Sequence, residues 1–163
     1  MSFIRKTLVI SAVSFFLLFL SGGCGEIGTW KEQEESQIKD FLESLGDTTY
    51  VLKSSGLYYM EITQGTGEFP VTGDSVTFYY KGMFLDKVVF DTNITDSVPW
   101  KYVIGSGTII AGIDEGLRYM RQGGKSLLLT PSNLAYGHNG YPGVIPGYTP
   151  LLWEITLLTV KKN

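Results

Sequence analysis

With 163 residues and a mass of 18.1 kDa, the chain has room for one ordinary domain and an appendage, but not for two large domains. Apolar residues at 44% and charged residues at 18% place it among globular chains. A net charge of −3, with no block of Lys and Arg, argues against nucleic acid as its main partner. The single cysteine excludes an intrachain disulfide and a cysteine-based zinc cluster, and the single histidine removes most metal-site and histidine-triad mechanisms.

Arg5 and Lys6 open the chain, and an apolar run from Thr7 to Leu20 follows. Small residues Ser21, Gly22 and Gly23 then lead to the single Cys24. The run is too short for a ~30 Å hydrocarbon core, so the pattern is that of a secretory signal rather than a spanning helix. With the cysteine at the end of the small-residue exit, it resembles a bacterial lipoprotein signal, in which that cysteine is lipidated and becomes residue one. The leucine usual three places before the cysteine is Ser21 here, with Leu20 one place further back. Ordinary signal cleavage, leaving a thiol near the new terminus, is the alternative. The expected organisation is a signal over 1–23, a linker and amphipathic spacer helix over 24–49 and one domain over 50–163.

Thr29 and Glu32 fit a capping box at a helix start, and Ile38, Phe41, Leu42 and Leu45 follow at helical spacing, with Gly46 as a stop. So short a helix is marginal alone in water. Its apolar stripe either packs on the domain, spaces it from a membrane, or captures a partner. From Tyr50 the pattern changes to period two, and 20 glycines and 10 tyrosines favour a β-rich fold with tight turns. Strands are expected over 57–63, 75–85, 88–90, 102–104, 125–130 and 151–161. The clearest is 75–85, where Val76, Phe78 and Tyr80 alternate with Thr77, Tyr79 and Lys81. One helix is expected over 110–122, with Ile113, Leu117 and Met120 inward and Gly123-Gly124 as its end. An antiparallel sheet packed on one short helix is an α+β layout.

Familiar catalytic constellations are missing. His138 lies in a Gly-rich loop with no serine elbow to accompany it, and the glycines near Gly105 have neither a Walker lysine nor dinucleotide spacing. Asp114 and Glu115 read as compensation of a helix start rather than as an acid–base pair. What remains are aromatic and aliphatic residues near turns with few polar groups among them, the composition of an apolar pocket.

The ordered stretches SGLYYMEITQGTG, VTFYYKGM, VVFD, PWKYVIG, IIAGIDEGLRYMRQGGK, AYGHNGYPGVIP and LLWEITLL resemble the FKBP family of peptidyl-prolyl isomerases over about two thirds of the chain. The resemblance implies an FKBP-like fold, a twisted antiparallel sheet wrapped on one short helix. It also implies a pocket formed by Tyr80, Phe90, Asp91, Trp100, Ile109, Ile110, Ile113, Tyr136, Tyr141, Val144, Ile145 and Trp153. In that family, the backbone N–H at the position of Ile110 and the hydroxyl at that of Tyr136 meet substrate carbonyls, and the carboxylate of Asp91 pairs with the Tyr80 hydroxyl. Ile113 stands where the best-known members have a tryptophan floor. That change removes indole surface and an N–H and weighs against binding of macrolide immunosuppressants. Trp100 and Trp153 stand where phenylalanine is common, Tyr141 at a frequent histidine position, and Asp96 at a position that is arginine in some members.

The implied function is isomerisation of X–Pro bonds in unfolded or exported proteins, without covalent chemistry, metal or cofactor, by a protein tethered to the cell envelope through a lipid on Cys24. A non-catalytic binding or chaperone module with the same pocket, and a structural envelope lipoprotein, are the other readings. No motif sets an oligomeric state.

Overall fold

The structure, a computed structural model, describes residues 29–46 and 50–163. The expected signal, Cys24 and the boundary at 23/24 lie outside these residues. Among the described residues, no helix is long and apolar enough to cross a membrane.

Helix α1 (Trp30–Ser44) begins as its sequence predicts. The Thr29 N–H donates to Glu32 Oε2 at 2.7 Å and the Glu32 N–H to Thr29 Oγ1 at 3.3 Å, closing the capping box. Strands β1 (Val51–Leu52), β2 (Tyr58–Thr63), β3 (Ser75–Met83), β4 (Val89–Thr92) and β5 (Trp100–Val103) follow, then helix α2 (Ala111–Arg118) and strands β6 (Lys125–Thr130) and β7 (Leu151–Lys161). The strands form one antiparallel sheet in the order β1-β2-β6-β7-β3-β4, with β5 also on β3. Strand β3 carries two partners on one edge: β5 pairs with its first half and β4 with its second.

Period-two alternation decides what each face of the sheet meets. On one face Tyr59, Leu128 and Trp153 lie side by side across β2, β6 and β7, and pack with Val76, Phe78, Ile113 and Leu117 into the main core beneath α2. Two glycines bring the helix down onto the sheet. A Cβ on Gly112 would come within 2.4 Å of Thr130 Cγ2, and one on Gly116 within 2.3 Å of Leu128 Cδ1, so no side chain separates α2 from β6. On the opposite face Tyr58, Leu129, Leu152 and Met83 form a second row across β2, β6, β7 and β3. The stripe of α1 settles there, with Ile38 and Phe41 buried on Leu129 and Leu152. The sheet is therefore covered by a helix on each face, and the α1 stripe packs on the domain.

Several elements differ from expectation, β2 and β3 only by one or two residues at one end. Strand β1 escapes notice because two residues hold no periodicity; the tight turn before β2 creates it, with the Lys53 N–H donating to Leu57 O and Gly56 at φ +96°. Helix α2 is shorter at both ends than 110–122. Ile110 is extended (φ −61°, ψ 144°), and after Arg118 the chain tightens through bonds from Tyr119 N to Gly116 O and from Met120 N to Leu117 O. Strands β4 and β5 each sit one or two residues off the predicted ranges.

Candidate active site

A cavity of about 490 Å³ opens between the sheet and the N-terminus of α2. Its deepest lining residues are Trp153 from β7 and Ile113 from α2, both almost wholly buried. Tyr80 from β3, Asp91 from β4 and Trp100 from β5 make one wall; Ile109 and Ile110, entering α2, and Tyr136, in the loop after β6, make the other. An indole is thus present at the floor, supplied by the sheet instead of the helix. Its Nε1–H donates to Thr130 Oγ1 at 3.1 Å, whose own hydroxyl donates to Leu151 O, so the floor offers a surface and no donor. Gly82 makes this possible: a Cβ there would meet Phe90 Cζ and Trp153 Cζ3, each at 2.7 Å.

The polar groups are few and fixed. The Tyr80 hydroxyl donates to Asp91 Oδ2 at 2.8 Å. Burial pushes the Tyr80 phenol strongly upward, and the Asp91 carboxylate, as acceptor and as charge, pushes it further. The Tyr136 phenol is raised as well, by burial first and then by the charge of Asp91. Both phenols therefore keep their protons throughout the neutral range and act as donors. Ile110 precedes the first residue of α2 in an extended conformation, so its N–H stands outside the helical ladder.

The loops that present these groups are tied by residues the sequence did not mark. Asn93 accepts the Tyr80 N–H through Oδ1 at 2.8 Å and donates to Phe78 O and Val98 O, while the Thr92 hydroxyl donates to Tyr80 O. This clamp sets the turn between β4 and β5, and Trp100 comes out of it against Tyr80, ring centroids 5.5 Å apart. Asp114 does the same for the loop before α2. It accepts from Tyr102 Oη and Gly105 N, each at 2.7 Å, and pairs with Arg118 at 2.8 Å. Burial opposes its ionisation, but these donors outweigh the cost and hold its carboxyl below the usual range. Asp114 is a tether, then, as well as a helix-start charge.

Of the residues expected at the pocket, Tyr80, Asp91, Trp100, Ile109, Ile110, Ile113, Tyr136 and Trp153 line the cavity. Phe90 does not. It stands edge-on to Trp153 at 5.4 Å and supports the floor from behind. Ile145 is buried in the core, and its N–H and C=O bond back to Tyr141. Tyr141, exposed to 55%, packs edge-on against Tyr136 at the rim, and Val144 is exposed beside it. Gly107, Thr108, Ala111 and Ala135 line the cavity unannounced. Their contribution is backbone and small size, which leaves no chemical signature in a sequence.

This arrangement defines a class: an α+β domain with a small cavity, aromatic in its floor and walls, that offers hydrogen-bond donors but no nucleophile. Residues 66–158 match the family model described as FKBP-type peptidyl-prolyl cis-trans isomerase. The chain is 37% identical over 128 residues to the FKBP-type peptidyl-prolyl cis-trans isomerase FkpA of Escherichia coli strain K12, covering 78% of this chain and 46% of that protein. It is 36% identical over 105 residues to an FK506-binding protein of Neisseria meningitidis serogroup B, covering 64% of this chain and 96% of that one. A crystal structure of a peptidyl-prolyl cis-trans isomerase from Pseudomonas syringae superposes with a TM-score of 0.70 at 27% identity, over 85% of this chain and 100% of that one. The chain belongs to the FKBP-type peptidyl-prolyl cis-trans isomerase family. It spans about half the length of the FkpA relative.

Proposed function

We propose that the protein is a peptidyl-prolyl cis–trans isomerase acting on X–Pro segments of exported proteins. The observation that carries the reading is one cavity combining an apolar floor of Trp153 and Ile113 with the Tyr80–Asp91 pair and the Tyr136 phenol. Rotation about a peptide bond is slow because partial double-bond character raises a barrier of about 18–20 kcal/mol. An apolar site disfavours the charge-separated resonance form and so weakens that character. With the proline ring on the floor and flanking carbonyls held by the Ile110 N–H and the Tyr136 hydroxyl, the twisted bond is bound better than either planar form. The Asp91 carboxylate, oriented by Tyr80, sets the field across the bond as its carbonyl swings. Two-dimensional NMR exchange between cis and trans forms of a short Leu-Pro peptide tests the reading: the protein should accelerate exchange, and an unchanged rate would overturn it.

The lining also sets a preference for the residue before proline. Beside Trp100 and Tyr136 a Glu side chain would lose water without gaining a partner, and Asp91 and Asp96 would repel it. A Leu-Pro peptide should therefore be turned over about tenfold faster than a Glu-Pro peptide, on the order of 1.4 kcal/mol. Raising the salt concentration should narrow the gap only in part, since screening weakens repulsion and leaves desolvation. Equal kcat/KM for both peptides would place the prolyl site elsewhere.

For its place in the cell we infer tethering to the bacterial envelope by a lipid on Cys24. The support is the apolar leader that ends in small residues directly before the only cysteine. Cells fed a fatty-acid analogue should label the wild-type protein and leave Cys24→Ser unlabelled. Recovery of both proteins, unlabelled, from the soluble fraction would defeat the inference.

A further inference from the structure

Helix α1 lies across the sheet from α2, yet two of its residues reach the loop that carries Tyr136. Glu34 is a buried carboxylate, which is costly unless its partners are good. Its Oε1 accepts the Ser132 N–H and its Oε2 accepts the Ser132 hydroxyl at 2.9 Å, across 98 positions of sequence. The Ser132 carbonyl in turn accepts the N–H of Ala135 at 2.9 Å and that of Gly137 at 2.7 Å, the two residues flanking Tyr136. One turn earlier on the same face of α1, Trp30 stacks on Tyr148, 5.6 Å between centroids and 3° from parallel. The Tyr148 N–H donates to Gly137 O at 3.0 Å. The helix therefore grips this loop at both ends, with Tyr136 between the grips. Ile38 and Phe41 already bury the apolar stripe, and hydrophobic docking tolerates small slips. A carboxylate with two fixed donors does not.

We propose that Glu34 is a positioning residue for the prolyl pocket: through Ser132 it holds the loop that presents the Tyr136 hydroxyl, so that α1 is part of the catalytic apparatus although it touches no substrate. The catalytic half of this inference rests on the isomerase reading above; the structural half does not.

The test compares wild-type protein with Glu34→Ala, Glu34→Gln and Ile38→Ala in the full chain, under conditions where each is folded. Amide hydrogen exchange at Ala135 and Gly137, and kcat/KM on a Leu-Pro peptide, are read together. Glu34→Ala should speed exchange at both amides at least tenfold and lower kcat/KM about fivefold, while amides of the β6–β7 ladder keep their rates. Glu34→Gln, which retains an acceptor for one Ser132 donor, should recover most of both losses. Ile38→Ala should reduce stability yet leave both readouts near wild type. If Glu34→Ala does not fold, Ser132→Ala, which removes one of the two donors, takes its place with smaller changes in the same direction. Unchanged exchange in the Glu34 variants, or equal changes in Ile38→Ala, would overturn the proposal. A wild-type protein without isomerase activity would remove the function proposed above, and the exchange rates would still decide whether Glu34 holds the loop.

Discussion

Trp153→Ala is expected to lower the free energy of unfolding by about 3–5 kcal/mol, the range for deleting a large buried aromatic ring. The ring sits in the inner row between Leu128 and Gly82, meets Tyr80 and Phe90, and is tied to Thr130 by its N–H. Gly82 has no side chain with which to fill the space left behind. Collapse would draw Tyr80 and Phe90 inward, so kcat/KM should fall by at least tenfold even where the variant is folded. Trp153→Phe separates the ring from the hydrogen bond. It keeps most of the floor, leaves the Thr130 hydroxyl donating to Leu151, and should cost only about 1–2 kcal/mol. Denaturant midpoints paired with peptide kinetics provide the measurement. An alanine variant within ~1 kcal/mol of wild type would mean that the floor is held by other residues.

The second large effect concerns the polar wall. Tyr80→Phe removes the donor that fixes Asp91, leaving a carboxylate free to turn in a narrow mouth. Loss of a hydrogen bond to a charged group is worth about 1.5–3 kcal/mol. We expect kcat/KM to fall about tenfold, near 1.4 kcal/mol in transition-state stabilisation. Tyr136→Phe should act differently. No hydrogen bond joins the Tyr136 hydroxyl to the described residues, so stability should barely change while turnover drops a few fold. Because both phenol pKa values are raised above the usual 10.0, neither group ionises between pH 6 and 9. Wild-type kcat/KM should accordingly be flat across that range as far as the phenols govern it. If both substitutions leave turnover unchanged in folded protein, the polar roles assigned here are wrong.

How much of this could be read from the chain depended on whether a signal was local. The alternation through Val76, Phe78 and Tyr80, the capping box at Thr29 and the stop at Gly46 are short-range patterns, and each appears where its pattern lies, whereas the helix expected to run up to Gly123 ends at Arg118. The family resemblance located most of the cavity wall, because its residues recur at fixed spacing along those strands. Burial depth was not legible. Phe90 and Ile145 have the composition of pocket residues but support the pocket from the core, a distinction made only by tertiary packing. Nor were the tethers. Asn93, Thr92 and Glu34 are ordinary polar residues in sequence, and an acidic residue on a helix reads as solvated until a partner 98 positions away closes on it. The stripe of α1 was visible, but the row of Tyr58, Leu129, Leu152 and Met83 that receives it is assembled from four separate strands.

The covering of the outer face by α1 bears on what counts as a self-sufficient unit. The segment shared with the family model runs from 66 to 158, whereas the helix and the first two strands precede it. Cut down to that segment, the polypeptide would present Leu129, Leu152 and Met83 to water as one apolar strip, and β6 would lose β2 from its edge. A bare hydrophobic face beside an unpaired strand is a template for association with other chains. The outer face of the domain is thus covered by residues outside the stretch that the family model matches. The helix that shields this face therefore belongs to a preceding segment with no part in the cavity lining.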